Sequence, residues 1–188
     1  MIGCICPSPH IDRMKELKDE MGSSCKVYCE TGCLYGGSII LQMKSKTPCH
    51  FISIDLFNGY YGKSFDPHRK IDLTNHLEIV NENIKNNNPH SHSYELIKGD
   101  SKKKEVCDKV KYNIDFLFID GDHSRDGVRC DFLNLKDKVN KGGLIVFDNY
   151  NDGCWPEVKP AVDELCDEYT NEFKIKEITG NMLCLEKF

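Results

Sequence analysis

Two stretches of the chain are almost unbroken in apolar residues, IDFLFID at 114–120 and GLIVF at 143–147. Such runs mark central parallel strands covered on both faces, because a strand with one wet face alternates apolar and polar side chains. Shorter runs of strand length occur at 26–29, 50–55, 94–98, 173–178 and 182–186. Between them lie stretches with helical character at 37–44, 73–86, 102–109, 125–138 and 156–171. In the last, Val158, Val162 and Leu165 recur at helical spacing, and Pro156 stands where a first-turn proline is tolerated. Residues 1–24 are expected as an N-terminal segment or helix ahead of the first strand. The alternation of strands and helices predicts an α/β fold, a doubly wound and mostly parallel sheet with right-handed crossovers. A length of 188 residues fits a single domain spanning 1–188. Residues 57–72 form a long connection rich in aromatic residues and glycine, a length uncommon for a loop without a function.

Composition narrows the class. Hydrophobic residues make up 39% of the chain and charged residues 29%, which suits a soluble globular protein rather than a disordered one. A balance of 25 basic to 30 acidic residues gives a net charge of −5. Nucleic acid is therefore not an expected partner, because phosphate binding needs a concentrated basic surface. The one basic run, Lys102-Lys103-Lys104, reads as the solvated start of a helix. No apolar run reaches membrane-spanning length and the N-terminus lacks a signal-like stretch, so no membrane partner is expected and the expected location is cytoplasmic. The 11 cysteines are an odd number and read as free thiols of a reducing compartment. The spacing of Cys25, Cys29 and Cys33 matches none of the common iron–sulfur ligand runs. On a strand, Cys25 and Cys29 would share one buried face.

In doubly wound sheets ligands sit at the carboxyl ends of the strands. Five of those ends carry polar chemistry: Glu30 followed by Gly32, Gly36, Gly37 and Ser38; Asp55; Gly99-Asp100-Ser101; Asp120-Gly121-Asp122-His123; and Asp148-Asn149-Tyr150. Any one of them has a structural explanation, since Asp and Asn suit turns and helix caps. Five acidic ends on one sheet edge are harder to explain that way. The glycines after the first strand let backbone approach a ligand closely. No lysine follows them, which argues against a triphosphate loop, and Leu34 stands where the second glycine of a dinucleotide GxGxxG would be. Glu30 would repel a phosphate but tolerate a cationic or zwitterionic group. Asp55 suits a ribose diol, as an acidic residue does in dinucleotide folds. A nucleoside with a cationic tail and no phosphate meets both demands, and S-adenosylmethionine is such a molecule.

These residues resemble class I S-adenosylmethionine-dependent methyltransferases. ETGCLYGGS (30–38) is similar to the first motif of the catechol O-methyltransferase group. IDGDHSRDGVRCDF, KGGLIVFDNY and VKPAVDEL resemble the macrocin O-methyltransferase-type branch, which acts on sugars of natural products. The resemblance covers roughly residues 26–170. It implies a Rossmann-like methyltransferase fold with seven strands, the last antiparallel. It implies that Glu30, Gly32 and Ser38, with Tyr35 and Gly36 in the same turn, contact the methionine part of the cofactor. Asp55 would take the ribose hydroxyls, and Gly99, Asp100 and Ser101 would lie beside the adenine. Asp120, Asp148 and Asn149 match the divalent-metal ligands of the catechol-type enzymes, and Asp120 would also border the cofactor. Asn149 departs from the Asp-Asp pair usual in the macrocin-type branch. His123 stands where the catechol-type enzymes carry a lysine base. Residues 1–24 are not expected to supply the extra N-terminal helices that cover the acceptor in many relatives.

The expected activity is transfer of a methyl group to a hydroxyl of a small molecule, sugar or glycan. A hydroxyl is a poor nucleophile until its proton is lost. Two carboxylates and an amide suit Mg²⁺ or another divalent cation, which lowers the hydroxyl pKa and positions it. His123 would then take the proton, with Asp120 as its catalytic partner. Asp122 either supports this set from behind or binds the metal itself. Trp155 is a candidate wall for the acceptor or a core residue. Tyr60 and Tyr61 are candidates for a cover over the pocket or for packing. His10, His50, His68, His76, His90 and His92 read as surface or packing residues, with His68 on a loop that could fold over the pocket. The acceptor is the expected partner, and a homodimer is admitted. Metal-independent O- or N-methyl transfer and a cofactor-binding module without catalysis remain the alternatives. A nucleic-acid methyltransferase is the weakest reading.

Overall fold

The computed structural model describes residues 9–58 and 75–188. Tyr60, Tyr61, His68 and most of the 57–72 connection lie outside the described residues. Seven strands form one sheet: β1 (Val27–Thr31), β2 (His50–Asp55), β3 (Tyr94–Lys98), β4 (Ile114–Ile119), β5 (Val139–Phe147), β6 (Phe173–Thr179) and β7 (Met182–Lys187). Their order is β3-β2-β1-β4-β5-β7-β6. The first five run parallel, and β7 is antiparallel to both of its neighbours. The expected doubly wound sheet with an antiparallel final strand is therefore present.

Alternation along β4 explains the two layers. Phe116 and Phe118 point to one face, where they meet α1 (Pro9–Met21), α2 (Gly37–Gln42) and α3 (His76–Asn86) through Met14, Leu17, Ile39, Ile40, Val80 and Ile84. Leu117 and Ile119 point to the other, where α4 (Lys104–Cys107), α5 (Arg125–Leu135) and α6 (Val158–Glu168) supply Val106, Val128, Phe132, Val162 and Leu165. All six residues of β4 are buried, which is why its sequence is apolar on both faces, broken only by Asp115, rather than alternating. Each large apolar side chain so buried contributes about 1.5–3 kcal/mol relative to exposure.

Several boundaries differ from the sequence pattern, each for a local reason. The segment before β1 is a 13-residue helix, α1, whose buried Ile11, Met14 and Leu17 form a narrow apolar stripe. Strand β1 begins at Val27 and runs on through Thr31, because polar Glu30 and Thr31 are both fully buried in the sheet. Cys25 therefore lies in the turn ahead of β1, not on the strand. It packs in the layer opposite to Cys29, so the two do not share a face. The first-turn proline of α6 is Pro160, with Pro156 in the turn before it. Helix α4 is only four residues long, shorter than the 102–109 pattern suggests.

Phe132 on α5 is fully buried and meets the rings of Phe147, Tyr169 and Phe173 at 6.0, 5.3 and 5.4 Å. Phe132→Ala is expected to cost about 3–5 kcal/mol in urea unfolding. Ile175→Ala on edge strand β6, 51% exposed, is expected to cost no more than about 0.5 kcal/mol.

Candidate active site

The strand tips are tied together by backbone hydrogen bonds that continue the parallel ladder beyond the strands. The Gly32 N–H donates to the Ile54 carbonyl at 2.8 Å, Gly99 N–H to Asp55 at 2.9 Å, Asp120 N–H to Thr31 at 3.0 Å and Asp148 N–H to Ile119 at 3.1 Å. The first residue after each of these strands is thus pinned to the end of a neighbour. This gathers the tips of β1, β2, β3, β4 and β5 along one edge. Gly32 sits at the tightest point, with φ of +75°. A Cβ there would lie 2.1 Å from the Asp120 carbonyl oxygen, so no larger residue fits without moving the β4 tip. Its glycine is explained by this approach of two backbones.

Glu30 is fully buried on the face of the sheet that α2 covers. The Tyr28 hydroxyl donates to one carboxyl oxygen at 2.9 Å and the Ser53 hydroxyl to the other at 3.2 Å. Ser38, near the start of α2, also reaches it. Burial pushes the Glu30 carboxyl up, and the Asp120 charge adds to this. The hydroxyl donors oppose the shift without cancelling it, and the group ends at about 8. Asp55 is engaged with backbone. One of its oxygens accepts from Cys33 N–H at 2.9 Å and Leu34 N–H at 3.3 Å, and the other from Phe57 N–H at 2.8 Å. It therefore fixes the turn after β1 as well as its own. Leu34 in that turn adopts a φ of +47°, and Gly36, ahead of α2, a φ of +82°. Tyr35 lies against His76 edge to face at 5.5 Å, and its carbonyl accepts from Asn83 at 3.1 Å. His76 is a buried packing residue under the same turn.

At the tips of β4 and β5, His123 Nε2 lies 3.1 Å from an Asp120 carboxylate oxygen. The His123 ring stacks on Trp155, with centroids 4.3 Å apart and planes 21° from parallel. Trp155 thus lines the site while packing partly against the core. Asn149 holds a left-handed φ of +58°, which asparagine tolerates better than most residues. Its amide donates to Asp152 at 3.1 Å and it also hydrogen-bonds His123. Burial would lower the His123 pKa. The hydrogen bond and charge of Asp120, the charge of Asp148 and the bond with Asn149 outweigh that and raise it. Asp148 is raised too, first by burial and then by the neighbouring Asp120.

The structure thus brings Asp120, His123, Asp148 and Asn149 together. It turns Asp122 elsewhere. One Asp122 oxygen meets Lys102 at 2.8 Å and the other caps Ser124 N–H at 3.0 Å. Asp100 caps the Lys102 N–H at 3.1 Å, and Gly99 admits Val106, whose methyls would lie 2.8 Å from an added Cβ. Ser101 accepts at its carbonyl from Asn134 at 2.9 Å. One group passed over in the sequence is Asp131 on α5. It is fully buried beneath Gly121 and its carboxyl is pushed up to about 6 by burial. Its signal was an acidic residue inside the apolar stripe of Val128, Phe132 and Leu135.

Among the described residues no group of three or more His, Cys, Asp or Glu side chains is arranged to hold a metal ion. The set in question has two carboxylates and an amide, which is the hard-oxygen chemistry Mg²⁺ takes while keeping waters in its remaining positions. Two carboxylates close enough for one to raise the other also fit a cation that would discharge them. The residues present therefore fit the implied ion. Among the described residues no helix is long and apolar enough to cross a membrane.

A family model described as a methyltransferase domain matches residues 29–150. An uncharacterized protein of Acanthamoeba polyphaga mimivirus is 32% identical over 160 residues, covering 83% of this chain. The chain spans 66% of that relative, just under two-thirds of its length. Solved structures share the fold. The O-methyltransferase NovP has a TM-score of 0.72 at 19% identity, over 95% of this chain and 79% of that one. An O-methyltransferase from Bacillus cereus in complex with SAH has a TM-score of 0.62 at 18% identity, over 99% and 84%. The MycE methyltransferase from the mycinamycin biosynthetic pathway, in complex with Mg and SAH, has a TM-score of 0.62 at 19% identity, over 95% and 48%.

The buried Glu30 makes a pH-dependent contribution to stability. Its carboxyl ionises at about 8 when folded and near 4.5 when unfolded. Between those values the unfolded chain has released the proton and the folded chain retains it. The contribution is therefore full below 4.5 and is lost as pH rises toward 8, at about 1.4 kcal/mol per unit at most. Urea unfolding at pH 5 and pH 8 should show the wild type losing stability relative to Glu30→Gln. Parallel losses would contradict the assignment.

Proposed function

The chain belongs to the methyltransferase domain family, and we propose that it transfers the methyl group of S-adenosylmethionine to a hydroxyl of a small-molecule or sugar acceptor, with a divalent cation at Asp120, Asp148 and Asn149. The observation that carries this reading is the meeting of Asp120, His123, Asp148 and Asn149 at the β4 and β5 tips, beside the glycine turn that follows β1. Glu30 and Ser38 would face the zwitterionic end of the cofactor. Asp55 keeps acceptor capacity for a ribose diol beyond the three N–H groups it holds, because a carboxylate offers about four lone-pair sites. Gly99, Asp100 and Ser101 would flank the base.

A bound divalent cation supplies charge that lowers the pKa of an acceptor hydroxyl. The chain's own groups do the remaining work. Asp120, Asp148 and the Asn149 amide oxygen provide the donor set. His123, held by Asp120 and by the Trp155 ring, is the base for the hydroxyl proton. Trp155 forms the wall against which an acceptor is aligned. A metal-independent transfer is favoured by one observation, that His123 and Asp120 already pair and can balance each other's charge.

The test is labelled-methyl transfer to a panel of nucleotide sugars, catechols and glycans, with and without Mg²⁺, alongside calorimetry with S-adenosylhomocysteine. His123→Ala is expected to lower turnover about 10²–10⁴-fold while leaving S-adenosylhomocysteine affinity within a few-fold. EDTA is expected to abolish transfer and added Mg²⁺ to restore it. Turnover that survives exhaustive EDTA treatment would remove the cation and leave the metal-independent reading. Absence of S-adenosylhomocysteine binding would overturn both.

A further inference from the structure

At the sheet edge opposite Asp120 and Asp148, the amino ends of β1, β2 and β3 border a cavity of about 460 Å³ whose lining includes Lys26, Lys46, Cys49 and His50. Cys49 is 6% exposed there, and Cys25 is fully buried. Val27 of β1 stands opposite His50 of β2, and the His50 N–H donates to the Lys26 carbonyl at 2.8 Å. Cys25 and Cys49 are therefore on neighbouring parallel segments, offset by one residue. On two paired strands such an offset corresponds to a Cα separation of about 6 Å, inside the roughly 4.4–6.8 Å that a disulfide spans; Cys49 directly precedes β2, and Cys25 stands in the turn two residues ahead of β1. Both are free thiols, each perturbs the other electrostatically, and the Cys49 thiol donates to the His50 carbonyl at 3.6 Å.

Lys18 of α1 completes the cluster. It is 2% exposed, its ammonium lies 5.4 Å from the centre of the Phe51 ring, and its charge acts on both thiols. A buried ammonium is costly without a counter-charge. Asp19, the carboxylate its field also reaches, is engaged by Lys15 and Ser45. The Lys18 charge favours the thiolate of either sulfur, against burial. Cys49 borders the cavity and Cys25 is fully buried behind it, which makes Cys49 the attacking sulfur and Cys25 the resolving one.

We propose that Cys49 and Cys25 form a redox-active dithiol that exchanges with low-molecular-weight disulfides entering through this cavity. The Cys49 proton goes to solvent, and its thiolate bonds to one sulfur of the small disulfide, whose S–S bond breaks to release one thiolate. The Cys25 thiol gives its proton to that thiolate. Its sulfur then attacks Cys49 Sγ, breaking the mixed disulfide and releasing the second small thiolate, which takes a proton from solvent. Two protein thiols are oxidised to one disulfide, and one small disulfide is reduced to two thiols. This site is independent of the methyl-transfer reading.

The test uses the full reduced chain, incubated with oxidised glutathione, blocked with N-ethylmaleimide and digested with trypsin without reduction. Lys26, Lys44 and Lys46 provide cleavage points between the two cysteines. Mass spectrometry should find a cross-linked peptide pair containing Cys25 and Cys49, lighter by two hydrogens than the separate peptides. In Cys25→Ser, Cys49 should retain glutathione as a stable mixed disulfide. Lys18→Met should slow the cross-linking several-fold. The wild-type map decides the matter even if a variant does not fold. Alkylation of both Cys25 and Cys49 while the exposed Cys154 has taken up glutathione would overturn the proposal, as would pairing of either with a different cysteine.

Discussion

The active edge of this molecule depends on one close approach, that of the Gly32 backbone to the carbonyl of Asp120. With a side chain at 32 the two chains could not come so near, since the added atom would meet the carbonyl oxygen at 2.1 Å. With glycine, the tips of β1 and β4 lie side by side, and the ladder passes from Ile54 to Gly32 and from Thr31 to Asp120 without interruption. The same continuation ties Asp148 to Ile119. Side chains from three separate strands are thus positioned by backbone hydrogen bonds, which are far stiffer than loops.

The cost of this arrangement is electrostatic. It concentrates carboxyl groups where water is scarce, and the structure answers each one differently. Glu30 is surrounded by hydroxyls and held near neutrality. Asp55 spends its charge on the N–H groups of two turns. Asp122 is drawn off by Lys102. Asp120 is paired with His123, and Asp148 is held toward its neutral form by burial and by the Asp120 charge. A cation would let both carboxylates ionise together, which is the physical reason for proposing one at this point of the edge.

Much of this was legible in the sequence, for identifiable reasons. IDFLFID and GLIVF announced β4 and β5 because a strand buried on both faces has few polar positions to blur it, Asp115 being the one exception in β4. The acidic tips were legible because they directly follow such runs. The end of β1 was harder to see. Glu30 and Thr31 are polar residues inside the sheet, and their hydrogen-bond partners, Tyr28 and Ser53 among them, are not adjacent in a way periodicity can show. Cys25 and Cys29 were assigned one face because the strand was taken to begin before Val27. Helix α1 was indistinct because its apolar stripe is only three residues wide. The fates of Asp55, Asp122 and Asp131 depend on tertiary neighbours, and local pattern carries no information about those.

The most direct measurement is a crystal structure of the chain grown with S-adenosylhomocysteine and Mn²⁺, read by anomalous scattering from the metal. The account requires an anomalous peak within coordinating distance of Asp120, Asp148 and Asn149, with the nucleoside lying along the same edge against Asp55. A nucleoside in place with the metal peak elsewhere, or with no peak at all, would contradict the claim that these strand tips were gathered to hold a cation.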